Sequence, residues 1–150
     1  MKTSERGIKL IKDFEGFRRR PYLCSAGVAT IGYGSTRYSN GVKVKISDQP
    51  ITEEEADKLL TFYLAKNEVA IEHLIGKPLN QNQFDAVMSF VYNLGLGNFE
   101  KSSMLKRMRV NPNDIRIDYE FSKWVYVGGR RNAGLIRRRT EEANIYFSRI

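Results

Sequence analysis

Residues 15–34 read Glu15-Gly-Phe-Arg-Arg-Arg-Pro-Tyr-Leu-Cys24-Ser-Ala-Gly-Val-Ala-Thr30-Ile-Gly-Tyr-Gly34, and the periodicity of the chain changes within them. Before Glu15, Ile8, Leu10, Ile11 and Phe14 form an apolar stripe at helical spacing. Ser4 is placed to cap that helix and Gly16 to stop it, so a helix is expected from about Ser4 to Phe14. After it, from Leu23 to Ile46, Val, Ile, Thr and Tyr alternate with glycine-containing turns at Ser25-Ala26-Gly27 and Ser39-Asn40-Gly41. Val42-Lys-Val44-Lys-Ile46 alternates at period two, and the whole segment reads as a small antiparallel sheet. The switch puts a carboxyl group at a helix end, followed by a thiol and a hydroxyl on strand-like chain. An acid beside hydrogen-bonding groups that can hold water is the minimum equipment for acid-assisted hydrolysis of an acetal.

Helical pattern resumes after Pro50. Thr52 and Glu55 form a capping-box signature, and Glu53 and Glu54 suit the positive end of a helix dipole. The apolar positions run from Ala56 to Ile75, until Gly76-Lys77-Pro78 ends a helix of some 24 residues. The remainder reads as helices only. Phe84, Val87, Met88 and Val91 keep a helical register that Gly95 and Gly97 break; Met104, Leu105 and Met108 make a short helix. Asn111-Pro-Asn113 is a turn, Ile117, Phe121, Trp124 and Val125 suggest another helix, and Val127-Gly-Gly129 is a loop. The last helix is expected to turn Ile136, Ala143 and Phe147 inward and Arg137–Arg139 partly outward. The fold class is therefore α+β and mostly helical: residues 1–50 a small α/β lobe with a short antiparallel sheet, 51–76 a connecting helix, and 77–150, with the N-terminal helix, a helical lobe.

Composition bounds the function. The chain has 150 residues, 25 Lys and Arg against 17 Asp and Glu, and a net charge of +8. The charge is uneven: residues 1–50 carry ten basic and four acidic side chains, 51–100 three and eight, and 101–150 twelve and five. Two basic ends around an acidic middle point to a polyanionic partner, whether nucleic acid, anionic membrane or acidic wall. One cysteine excludes an intramolecular disulfide, and one His with one Cys disfavours a zinc site. The residues before Gly7 lack the apolar segment of a signal peptide, and no stretch is long and apolar enough to span a membrane.

Taken singly, Glu15, Cys24 and Thr30 are ordinary. Most glutamates are solvated, threonine suits strands, and a lone cysteine is commonly a small buried hydrophobe. Their joint spacing is the stronger signal. Glu, eight residues, Cys or Asp, five residues, Thr, then Ile-Gly-x-Gly resembles the phage-type lysozymes, the endolysins and muramidases of glycoside hydrolase family 24. Gln83-Phe-Asp-Ala-Val-Met-Ser-Phe-Val-Tyr-Asn93 with Gly95, Gly97 and Ser102-Ser103 resembles the family's central segment. Phe121, Trp124, Gly129 and Gly134-Leu-Ile-Arg-Arg-Arg-Thr-Glu141 resemble its carboxyl-terminal signature.

The resemblance implies a lysozyme-like fold with substrate in a cleft between two lobes. It implies hydrolysis of the β-1,4 bond from N-acetylmuramic acid to N-acetylglucosamine in bacterial peptidoglycan, without metal or cofactor. Glu15 would give the proton to the leaving oxygen, and Cys24 and Thr30 would place the attacking water. Many relatives carry Asp where this chain has Cys24; a thiol of ordinary pKa ~8.5 is only slightly ionised at neutral pH. Thr36, Tyr92 and Ser103 resemble substrate-facing positions. One of Arg137, Arg138 and Arg139 would pair with Glu15, the others being solvated or facing the wall. Tyr92 also reads as a core aromatic, and Ser103 as a helix N-cap.

A phage endolysin of this type would accumulate as a monomer in the host cytoplasm and reach the wall after a holin permeabilises the membrane, with no nucleic acid bound and no membrane insertion of its own. The competing reading is a basic helical nucleic-acid-binding module. It rests on net charge and the Arg137–Arg139 run, but no zinc finger, basic zipper or RNA-recognition signature accompanies them. A wall-binding relative without turnover and a transglycosylase are further variants.

Overall fold

The computed structural model describes residues 1–149. Its elements in chain order are α1 (Glu5–Glu15), β1 (Arg18–Leu23), β2 (Ala29–Gly32), α2 (Glu53–Ile75), α3 (Gln81–Leu94), α4 (Leu96–Lys101), α5 (Ser103–Val110), α6 (Ile117–Ser122), β3 (Tyr126–Val127), β4 (Arg130–Arg131) and α7 (Ala133–Tyr146). They fall into two compact units, one of residues 9–66 and one of residues 1–8 with the chain from Asn67 on. The division passes within α1 and within α2.

In the smaller unit, β1 and β2 pair antiparallel with Tyr22 opposite Thr30 and Leu23 opposite Ala29. The turn expected at Ser25–Gly27 closes this hairpin: the Cys24 N–H donates to the Val28 carbonyl at 3.0 Å, and Gly27 N–H returns to the Cys24 carbonyl at 2.8 Å. The Val42–Ile46 segment, predicted as a strand, keeps only one isolated antiparallel bridge, Arg37 to Lys43. Its alternation serves burial of Val44, which joins Ile31 and Leu59 in the unit's core, packed by Tyr38, Ile51 and Tyr63. A segment with one apolar side chain to bury gains little from extending a ladder. The capping box that opens α2 forms as expected, Thr52 N–H to Glu55 Oε2 at 3.3 Å and Glu55 N–H to Thr52 Oγ1 at 3.1 Å.

The larger unit is built on α3, whose residues Gln83 to Val91 are all buried. Asn80 and Gln83 cap it reciprocally, a second capping box. Phe90 is the centre of the core: its ring meets Phe121 and Trp124 edge-on, each at 5.7 Å. Such edge contacts add to the hydrophobic gain of burying the rings. Gly95 ends α3 and at the same time starts α4, so the break expected at Gly95 and Gly97 is a corner between two helices. Helix α6 stops at Ser122, sooner than the apolar pattern suggested, yet Val125 remains buried and Trp124 still reaches Phe90.

Two further differences matter. Val127-Gly-Gly129 is the tip of a hairpin, with Tyr126 opposite Arg131 and Val127 opposite Arg130. Gly128 and Gly129 both hold positive φ (56° and 78°), the requirement of a two-residue turn whose twist matches the strands. Only the first arginine of the α7 run is turned outward. Arg137 is exposed, but Arg138 and Arg139 are 4% and 1% exposed. The reason is Glu142, fully buried on the same helix, whose Oε1 lies 3.2 Å from Arg138 Nε and 3.5 Å from Arg139 Nη2. Ser89 Oγ donates to the same oxygen at 3.1 Å, Arg138 Nη2 donates to the Ser89 carbonyl at 3.1 Å, and Arg139 donates to Asn93 Oδ1. The Arg139 guanidinium also stacks on Phe90, 5.0 Å from the ring centre. Paired and stacked, these arginines belong to the core.

Candidate active site

Glu15 is the last residue of α1 and is half-buried. The following Gly16 N–H donates to the Lys12 carbonyl at 2.9 Å, closing the final turn and holding the Glu15 backbone. One carboxylate oxygen lies over Gly34: a Cβ built there would come within 3.0 Å of Glu15 Oε2. Gly34 also has φ +86°, a conformation side chains rarely adopt. The second glycine of the Ile-Gly-x-Gly motif therefore leaves room for the acid as well as making the turn. Gly34→Ala is expected to cost about 1–2 kcal/mol of stability from the backbone. It should also lower kcat at least about tenfold by displacing the carboxylate. Thermal unfolding and wall-hydrolysis assays check both; a variant as active as wild type would show that this contact does not position the acid.

Cys24 and Thr30 flank the turn of the β1–β2 hairpin. Thr30 is 3% exposed, and its hydroxyl donates to the Val28 carbonyl at 2.8 Å. Hydrogen bonds from the backbone amides of Val28 and Ala26 hold the Cys24 thiol below its usual range, against the opposing effect of desolvation. The Thr30 hydroxyl and the Cys24 amide act in the same direction as those amides. The turn backbone thus shifts the thiol toward thiolate.

Tyr22 connects the parts. Partial burial raises its phenol, Arg18 lowers it, and the negative charges of Glu15 and Cys24 both raise it further. Tyr22 lies directly across the sheet from Thr30. Sequence reading passed over Tyr22, which stands on β1 two residues before Cys24. Arg18 stacks on the Tyr22 ring at 4.3 Å, and Arg18, Arg19 and Arg20 are all exposed. Phe17 packs on Tyr33 at 5.7 Å, and Lys12, tied to Asp57 at 2.6 Å, lies over the same tyrosine at 5.3 Å.

Thr36 is exposed at the edge of a hollow in this unit, and its carbonyl accepts from Val44 N–H at 2.9 Å. The other two candidates lie in the larger unit. Tyr92 is half-buried near the end of α3. Ser103 is the first residue of α5 and does not cap it; Ser102 does, accepting from Leu105 N–H at 3.1 Å. The Ser103 hydroxyl donates to Glu120 Oε2 at 2.6 Å and accepts from Lys123 Nζ at 3.0 Å. Glu120 is buried, which alone would raise its carboxyl; Lys123, Ser103 and Arg107 outweigh that and hold it low. Glu120 gave no signal in sequence beyond its place in an apolar helix.

The Phage lysozyme family model matches residues 12–142. The chain is 39% identical to the endolysin of Acyrthosiphon pisum secondary endosymbiont phage 1, over 99% of both chains. Among solved structures it resembles an endolysin from Escherichia coli O157:H7 phage FAHEc1, with a TM-score of 0.89 and 35% identity over 100% of this chain and 96% of that one. It also resembles the muramidase domain of SpmX from Asticaccaulis excentricus, with a TM-score of 0.81 and 36% identity over 97% of each chain. None of these supports a nucleic-acid-binding module. With the matched segment running from the helix that carries Glu15 to the buried arginines of α7, the chain belongs to the phage lysozyme family and is a lysozyme-type glycosidase of the endolysin kind.

Proposed function

We propose that this endolysin hydrolyses the β-1,4 bond between N-acetylmuramic acid and N-acetylglucosamine, with Glu15 as general acid and Cys24 and Thr30 holding the attacking water. The observation that supports the reading is that the Glu15 carboxylate lies over Gly34, just beyond β2, while Cys24 and Thr30 flank the turn of the β1–β2 hairpin in the same unit. Glu15 gives its proton to the glycosidic oxygen as the bond lengthens and charge develops on the sugar. Water held by the Thr30 hydroxyl and the Cys24 sulfur attacks the anomeric carbon from the opposite face, so that configuration inverts. A thiol held toward its ionised form accepts a hydrogen bond from that water and offsets the charge on the sugar. Thr36, Tyr92 and Ser103 are proposed to contact the glycan.

Ser at position 24 retains a hydrogen-bonding group but no ready anion. Cys24→Ser is accordingly expected to keep activity within about tenfold of wild type, the effect of one altered hydrogen bond. NMR of the first-formed product should show the inverted anomer in both proteins. Retained configuration, together with loss of all activity in Cys24→Ser, would point to direct attack by the thiolate.

Release to the wall is proposed to depend on a holin-type partner, with the enzyme acting as a monomer from the host cytoplasm. No helix among the described residues is long and apolar enough to cross a membrane. Expression of this chain alone is expected to leave cells intact until chloroform is added. Prompt lysis without it would argue for self-directed export.

A further inference from the structure

We infer that Arg37 and Lys43 form a subsite for a carboxylate carried by the wall strand, adjoining the hairpin that holds Cys24 and Thr30. The inference rests on the glycosidase reading above. The two residues face each other across an isolated antiparallel bridge. Side chains directly opposite in such a bridge leave on the same side, and like charges in that position repel. Among the described residues neither forms an ion pair that would relieve the repulsion. Hydrogen bonds tie down the segment around them. The Tyr63 hydroxyl donates to the Arg37 carbonyl at 2.8 Å, Tyr38 N–H to the Val42 carbonyl at 2.9 Å, and Arg37 Nη1 to the Gly41 carbonyl at 2.8 Å. A guanidinium with one N–H so fixed is oriented, and its remaining donors are available to a ligand.

These cations border a hollow of about 340 Å³ lined by Val28, Ala29, Thr36, Arg37, Lys43 and Val44. Its lining is divided evenly between the apolar Val28, Ala29 and Val44 and the polar Thr36, Arg37 and Lys43, which offer a hydroxyl and two positive charges. The complementary group is small and partly apolar and ends in a carboxylate, as do the peptide stems attached to the muramic acid of peptidoglycan. Ala29 directly precedes Thr30 on β2, so a strand anchored here is held against the element that carries the water-positioning pair. Charge placed this way speeds encounter and fixes register.

The test compares two walls. Sacculi stripped of phosphate polymers are used as such, or after carbodiimide and ammonia have converted their carboxylates to amides. Wild-type kcat/KM is expected to be about tenfold higher on the native wall, the scale of one charge-assisted hydrogen bond. Lys43→Glu, at an exposed position, should bring the native-to-amidated ratio to one or below by lowering the native value, and Lys43→Gln should fall between. Salt should erase the wild-type preference as well. Indifference of wild type to amidation would overturn the subsite. So would an unchanged ratio in Lys43→Glu, or an equal loss on both walls, which would mark a structural role. A wild type inactive on both walls would instead refute the glycosidase reading.

Discussion

Glu15→Gln is expected to lower kcat on peptidoglycan by about 10²–10⁴-fold, the usual contribution of a positioned general acid. The amide keeps the shape and hydrogen-bonding reach of the acid and loses only the proton. Unfolding temperature and KM should therefore stay near wild type while kcat collapses, the pattern of an interaction made in the transition state. Glu15 is half-buried at the end of α1 with Gly34 cleared beneath it, so the amide fits without displacing a neighbour. The ranking against Cys24→Ser is the sharper statement: Glu15→Gln should be far the more damaging, and the reverse order would reassign the chemistry to sulfur.

Arg138→Met is expected to destabilise the protein by about 3–5 kcal/mol, because it strips a partner from a buried charge. Glu142 is fully buried, and burial pushes its carboxyl up to about 7 even with Arg139 and Arg138 pulling it down. A buried acid raised in this way binds its proton more tightly in the folded state than in the unfolded one. Its effect is therefore to lower stability as pH rises from the ordinary 4.5 toward about 7. Removing Arg138 pushes the carboxyl higher still, so the variant's stability should fall with pH over a wider window than wild type. Adding Glu142→Gln should restore part of the loss and flatten that dependence. Denaturant unfolding of the four proteins of the cycle measures the coupling, and additive losses would show that the pair does not interact.

Both results bear on how much of the molecule was legible in sequence. Helices α1, α2 and α3 were readable because caps and apolar stripes agree there, as at Thr52 and Glu55. The catalytic candidates could be picked out by spacing, since Glu15 ends α1, Cys24 directly follows β1 and Thr30 lies on β2, all within one short stretch of chain. What was lost is what long-range pairing decides. Arg138 and Arg139 read as solvated until Glu142 and Ser89 are seen to receive them, although the Arg138–Glu142 separation of one helical turn was a usable sign. Likewise Val42–Ile46 alternates like a strand but has one core position to fill. Gly34 was recognised as motif and turn; its second role, making space for a carboxylate, needs three dimensions.

The most direct measurement digests purified peptidoglycan with the protein, reduces the new ends with borohydride and identifies the resulting sugar alcohol. A proton delivered by Glu15 to the muramyl linkage predicts muramitol, formed about 10²–10⁴-fold more slowly by Glu15→Gln. Glucosaminitol, anhydro ends that resist reduction, or muramitol at the wild-type rate from Glu15→Gln would contradict it.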